Sequence, residues 1–154
     1  MIENNKFAIG LSRETLKVYK ELVKMIGTTD AEVKEDASRN HHRYYASYLF
    51  HPHEKVGLQL HRHGGDMVLV IPGNDRRFPK CDLRNVEVQA LSGYCVIQNR
   101  FWLNATKQNC WPPKPARAFV VLQEQLQNFD LRSQINKLLL FAKENSDRWN
   151  QNKR

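Results

Sequence analysis

The sequence predicts an α+β domain: a single mixed β-sheet of about five to six strands, flanked by an N-terminal helix, with room for a second, and by a long C-terminal helix. Three observations carry this expectation. Leu16, Tyr19, Leu22, Val23 and Ile26 form a helical apolar stripe near the start. From Val56 to Leu122, short apolar runs alternate with Gly, Pro, Asn and Asp, as strands alternate with turns. A second stripe, Leu131, Ile135, Leu138, Leu139 and Ala142, closes the chain. Strands in the middle and helices at both ends pack as a sheet with helices against it. The 154 residues fit one domain, 1–154, that can bury a core without disulfide staples.

Lys6 to Leu11 alternates polar or small residues with Phe7, Ile9 and Leu11, the pattern of a half-buried strand. Ser12 suits a helix N-cap, Leu11 and Leu16 stand where a hydrophobic staple would hold the entry, and Glu14 falls in the positive first turn. Gly27 ends that helix. Asp30 is placed to cap a second helix through Ala31, Val33 and Ala37. The tyrosine-rich stretch Asn40 to Leu49 reads equally as helix or strand, and Pro52 ends it. Strands are expected at Val56–His61, Met67–Ile71, Val86–Leu91, Tyr94–Leu103 and Ala118–Leu122. A hairpin turns over Ser92-Gly93. Asp130 caps the last helix, which frays after Trp149 into a basic tail, residues 150–154.

Charge narrows the function classes. Lys and Arg number 24 against 16 acids, giving a net charge of +8 and a pI near 9.6. A field of that sign speeds encounters with phosphate backbones, so nucleic acid is the expected partner. The same charge would also keep a small domain soluble. No apolar run approaches membrane-spanning length, and the opening Met-Ile-Glu-Asn-Asn-Lys lacks a secretory pattern. Cys81, Cys95 and Cys110 are odd in number and widely spaced, which indicates neither a disulfide framework nor a zinc knuckle. A reducing intracellular compartment, cytoplasmic or nuclear, is expected.

The leading candidate chemistry rests on Asp66, Glu87 and Gln89. Asp66 opens one strand, while Glu87 and Gln89 stand two apart, on one face of the next. Two carboxylates on adjacent strands can hold Mg²⁺, which polarises a phosphodiester and activates water. This arrangement resembles the PD-(D/E)xK nuclease superfamily, in which an acid begins one strand and Glu-x-Lys follows on the next, after an N-terminal helix. The resemblance implies a divalent-metal-dependent nuclease with Asp66 and Glu87 as Mg²⁺ ligands. Gln89 would position water where the family carries lysine, and Gly65 precedes Asp66 where the family carries proline. Arg62, Arg76, Arg77, Lys80 and Arg84 would grip phosphates. Tyr44, Tyr45, Tyr48, Phe78 and Trp102 would stack on unpaired bases. Further cations, from Arg132 to Arg154, decorate the last helix and tail.

Three other patterns stand beside it. His61-Arg62-His63 with Asp66 has the makings of a two-His, one-carboxylate metal site, and with Gly73 it resembles the cupin signature; no later histidine completes the set. Phe7 to Ser12 and the helix after it resemble a ribbon–helix–helix DNA-binding unit, in which Lys6, Ala8 and Gly10 would face the bases. Pro52-His53, His61, Gly64-Gly65-Asp66, Leu69-Val70-Ile71, Leu22-Val23-Lys24, His41-His42 and Asp147-Arg148-Trp149-Asn150 are similar to parts of the lentiviral virion infectivity factor. That likeness implies a non-catalytic adaptor acting on a host defence protein, with Leu122-Gln123 in place of a ligase-binding box. Such an adaptor would use the Tyr44–Tyr48 and Pro112–Pro115 segments as its protein-contact surface.

Overall fold

The computed structural model describes residues 6–29, 33–35, 45–50, 53–63, 65–73, 75–91, 94–97, 101–104 and 116–152. The helices are α1 (Lys6–Ile9), α2 (Arg13–Gly27), α3 (Gln123–Leu126) and α4 (Phe129–Asn152). The strands are β1 (Val33–Glu35), β2 (Tyr45–Phe50), β3 (His53–His63), β4 (Asp66–Pro72), β5 (Asn85–Leu91), β6 (Tyr94–Ile97), β7 (Phe101–Asn104) and β8 (Ala116–Val121). This is an α+β fold, with an N-terminal helix and a long C-terminal helix against one sheet.

The described strands run in the order β1-β2-β3-β4-β8-β5-β6-β7; the first six form a sheet of the expected size, which β6 and β7 extend beyond β5. Every described pairing is antiparallel rather than mixed. Two segments differ from their expected form. Val33 to Glu35, expected in a second helix, pairs along β2. The expected single strand from Tyr94 to Leu103 is two strands, β6 and β7, paired with each other. The hairpin register at Ser92-Gly93 is as expected, with Leu91 opposite Tyr94.

The N-terminal segment is also corrected. Lys6 to Ile9 is a helical turn, not a strand, which removes the ribbon of a ribbon–helix–helix unit. Phe7 and Ala8 are both buried while Ile9 is 71% exposed. A strand would send neighbours to opposite faces; a helical turn lets two adjacent residues enter the core together. Phe7 meets Tyr19 edge-on, with ring centroids 5.2 Å apart.

The first long helix forms where its caps and stripe place it. Ser12 Oγ accepts from Thr15 N at 3.2 Å, and Leu11 and Leu16 pack partly buried against the core. At the other end of the chain α3 was not foreseen. Leu131 N donates to Asn128 Oδ1 at 3.1 Å, so Asn128 caps α4 and Asp130 lies in its first turn. Helix α4 continues through Asn152, past the expected fraying point.

Met67, Leu69 and Ile71 of β4 alternate inward toward the helices. There they join Leu58, Leu60, Phe119, Tyr19, Leu22, Ile26, Ile135, Leu138 and Leu139. Each such buried aliphatic side chain contributes about 1.5–3 kcal/mol. Val68 and Val70, on the opposite face, are 4% and 0% exposed, so β4 is buried on both sides. The turn after it needs glycine. Gly73 sits at φ 154°, and a Cβ there would lie 2.9 Å from the Phe141 ring.

Candidate functional site

The two carboxylates expected to share a cation are held apart. Strands β4 and β5 are not neighbours, because β8 lies between them. Ile71 and Glu87 are both opposite Arg117 of β8, whereas Asp66 precedes Met67, which is opposite Val121. Asp66 is therefore five positions along the strand from the level of Glu87 and two strands across. That amounts to about 16 Å along and about 10 Å sideways. A hard cation bound at ~2.3–2.6 Å to each ligand cannot bridge them. Gln89 lies further still along β5, opposite Val96 of β6. The Asp66, Glu87 and Gln89 site is thus not assembled, because the chain crosses from β4 to β5 before β8 inserts between them.

Asp66 instead lines a cleft of about 470 Å³ between the start of α2, the β3–β4 turn and α3. Glu14 and Glu124 line it too, with Thr15, Gln123 and Gln127. Local hydrogen bonds fix its floor. Ser12 Oγ donates to Thr15 Oγ1 at 2.9 Å, and Thr15 Oγ1 donates to Gly65 O at 2.6 Å. Asp66 faces Arg84 across 3.7 Å, with both side chains well exposed. The cleft is acidic on an otherwise basic protein. Sequence reasoning placed Glu14 only as a helix-dipole partner, and nothing in the linear order announced Glu124 beside it.

The histidine pattern is largely consumed by structure. His61 is 1% exposed, and its Nε2 donates to Gln59 Oε1 at 2.8 Å. Gln59 Nε2 in turn donates to Ser47 Oγ at 3.4 Å, a polar row on the sheet face away from the helices. Among the described residues no group of three or more His, Cys, Asp or Glu is arranged to hold a metal ion. His41, His42 and His51 lie outside the described residues.

The aromatic residues divide likewise. Tyr48 is buried, its hydroxyl 2.6 Å from that of Tyr19, and Phe78 stacks against Phe119 and Phe141 at centroid distances of 5.7 and 4.6 Å. Tyr48 is therefore not available to a base or to a protein partner, while Phe78 packs partly buried against the core. Tyr44 and the Pro112–Pro115 segment lie outside the described residues.

The expected phosphate-gripping cations fare better. Arg62 is half-buried, and its Nη1 donates to Gly10 O at 2.6 Å, fastening the turn between α1 and α2. Arg76, Arg77, Lys80 and Arg84 are all exposed on the crossover that joins β4 to β5. That crossover is anchored at several points. Leu83 is 2% exposed, Asp82 N donates to Gln134 Oε1 at 2.7 Å, and Gln134 Nε2 donates to Asp82 Oδ2 at 3.0 Å. Val120 N donates to Arg84 O at 2.9 Å. Apolar residues of the segment point inward and its cations point out, from a backbone held at both ends. Comparison of the chain with protein-family models, with curated proteins and with solved structures gives no match in any of the three.

Proposed function

We propose that this protein binds nucleic acid through its phosphates, and that Asp66 and Glu87 do not cleave it. The observation that carries the reading is the anchored crossover, which displays Arg76, Arg77, Lys80 and Arg84 to solvent on a chain of net charge +8. Cations on a held backbone lose little freedom when a phosphate arrives, which favours contact. The separation of Asp66 from Glu87 argues against a shared Mg²⁺, so the binding reading needs no metal.

Fluorescence anisotropy with a labelled 20-nucleotide strand and its duplex tests this. Four contacts predict roughly a hundredfold loss of affinity between 50 and 200 mM salt. Substituting Arg76, Arg77, Lys80 and Arg84 together by glutamine should lower the slope of log K against log salt on duplex by about 3.6, the share of those four contacts. EDTA should leave binding unchanged, and Asp66→Ala and Glu87→Ala should not weaken it, since each removes a negative charge and the first frees Arg84 from its partner. Cleavage that needs Mg²⁺ and is lost in Asp66→Ala would reinstate the nuclease, and salt-independent affinity would overturn the phosphate reading.

A non-catalytic adaptor that binds a host defence protein is the second reading. It is favoured by Phe129, 85% exposed at the start of α4, and Leu140, 44% exposed. Eleven residues are about three turns, so both lie along one face of the helix. Binding by that face would survive moderate salt and be lost in Phe129→Ser.

A further inference from the structure

We propose that α2 carries a second phosphate track, formed by Arg13, Lys17, Lys20 and Lys24; this rests on the nucleic-acid reading and extends it to a surface on another element. At 100° per residue these positions fall within an arc of about 60° and span about 16 Å of helix. All four are exposed. Among the described residues Arg13, Lys17 and Lys24 make no ion pair, and the acid nearest the middle of the stripe is drawn away: Glu21 Oε1 bonds Arg132 Nη2 at 2.5 Å.

Helix stability does not explain this arrangement. Cations three and four residues apart repel one another, and Arg13 stands at the positive end of the helix dipole. Val18, Leu22, Met25 and Ile26 of the same helix are buried in the core, and Leu16 and Val23, which border the stripe, pack partly buried against it, so α2 offers no exposed large apolar side chain for insertion into a bilayer. A row of cations without an exposed apolar margin fits a polyphosphate backbone. One strand of a duplex presents a phosphate about every 3.4 Å of axis, so the stripe faces about five. The track starts beside the acidic cleft, because Glu14 and Thr15 of the first turn line it, and therefore runs away from the cleft along α2.

The test measures affinity for labelled single-stranded and duplex DNA against salt for the full chain and its variants. Lys17→Gln with Lys24→Gln should lower the slope of log K against log salt by about 1.8 on duplex and about 1.4 on single strands. Each single variant should account for about half of that change, and adding Arg13→Gln should lower it further. Glutamine keeps helix propensity and these sites are exposed, so melting curves should match the parent. If folding of the pair is disturbed, the single variants decide. A charge-matched pair on α4, Lys137→Gln with Lys143→Gln, should leave the slope unchanged.

Four results would overturn the track or the reading beneath it. If the stripe pair keeps the parental slope while the crossover variant loses it, the track is wrong and the nucleic-acid reading stands. If the α4 pair lowers the slope equally, only diffuse charge is at work and the track is wrong. If the stripe pair loses binding to phosphatidylserine vesicles but not to DNA, the surface belongs to a membrane. If the parent binds neither DNA form at low salt, nor RNA, the nucleic-acid reading itself falls.

Discussion

At the scale of single residues, burial decides what each polar group is free to do. Burial pushes the Cys81 thiol above its usual range, and the Asp82 charge adds to this while a backbone hydrogen bond at Leu83 opposes it. A raised folded-state value favours the neutral thiol. Its stabilisation is fully present below the ordinary thiol range and is lost as pH rises through the raised value. The thiolate is the nucleophile, so iodoacetamide should label Cys81 more slowly in the folded chain than in urea at pH 7.5. The folded rate should still climb with pH where the unfolded rate has levelled; peptide mass spectrometry reads both, and coincident profiles would contradict the shift. His61 and Tyr48 make the same point without titration. Each stood in the sequence as a functional candidate, and each is enclosed and hydrogen-bonded. Local pattern identifies a polar side chain but not whether water reaches it.

At the scale of elements, legibility followed the strength of local signals. Helix α2 begins and ends where Ser12 and Gly27 place it, since cap and stripe agree. Ser12→Ala should therefore lower stability by about 1 kcal/mol in urea unfolding, with Ser12→Gly costing only a few tenths. An unchanged midpoint for alanine would mean that the bond to Thr15 contributes nothing. Strands β3, β4, β5 and β8 were legible within a few residues because each apolar run is bounded by Gly, Pro or polar turns. Short elements were not. Three residues at β1 and four at α1 and α3 hold too few periods to distinguish helix from strand. Their conformation follows from what they pack on: β2 for β1, and Tyr19 for Phe7 of α1.

At the scale of the whole molecule, β3, β4 and β8 form the centre of the sheet, and α2 and α4 cover it. Leu69 is flanked by Leu60 on one side and Phe119 on the other, all three nearly fully buried. Amides of Leu60, Leu69 and Phe119 should thus exchange only through global unfolding, while those of the Arg76–Lys80 stretch exchange locally. Native-state hydrogen exchange in low denaturant checks this. Central amides opening below the global free energy would mean that the sheet is not one cooperative unit. Strand order also decides the chemistry. With β8 inserted between β4 and β5, Asp66 enters an acidic cleft with Glu14 and Glu124, and Glu87 stands opposite Arg117.

The amino-acid order alone determined the α+β class, the main helix and the central strands, because propensity, apolar period and turn residues act over a few positions and need no partner. It also determined the basic balance, and that the Arg76 to Arg84 segment is dense in cations. Only the tertiary structure decided which strands adjoin, and hence that Asp66 and Glu87 are apart. It likewise decided that α2 turns Arg13, Lys17, Lys20 and Lys24 together toward solvent. Pairing of distant strands depends on the burial of the whole core, a sum over contacts far apart in the chain that no short window contains.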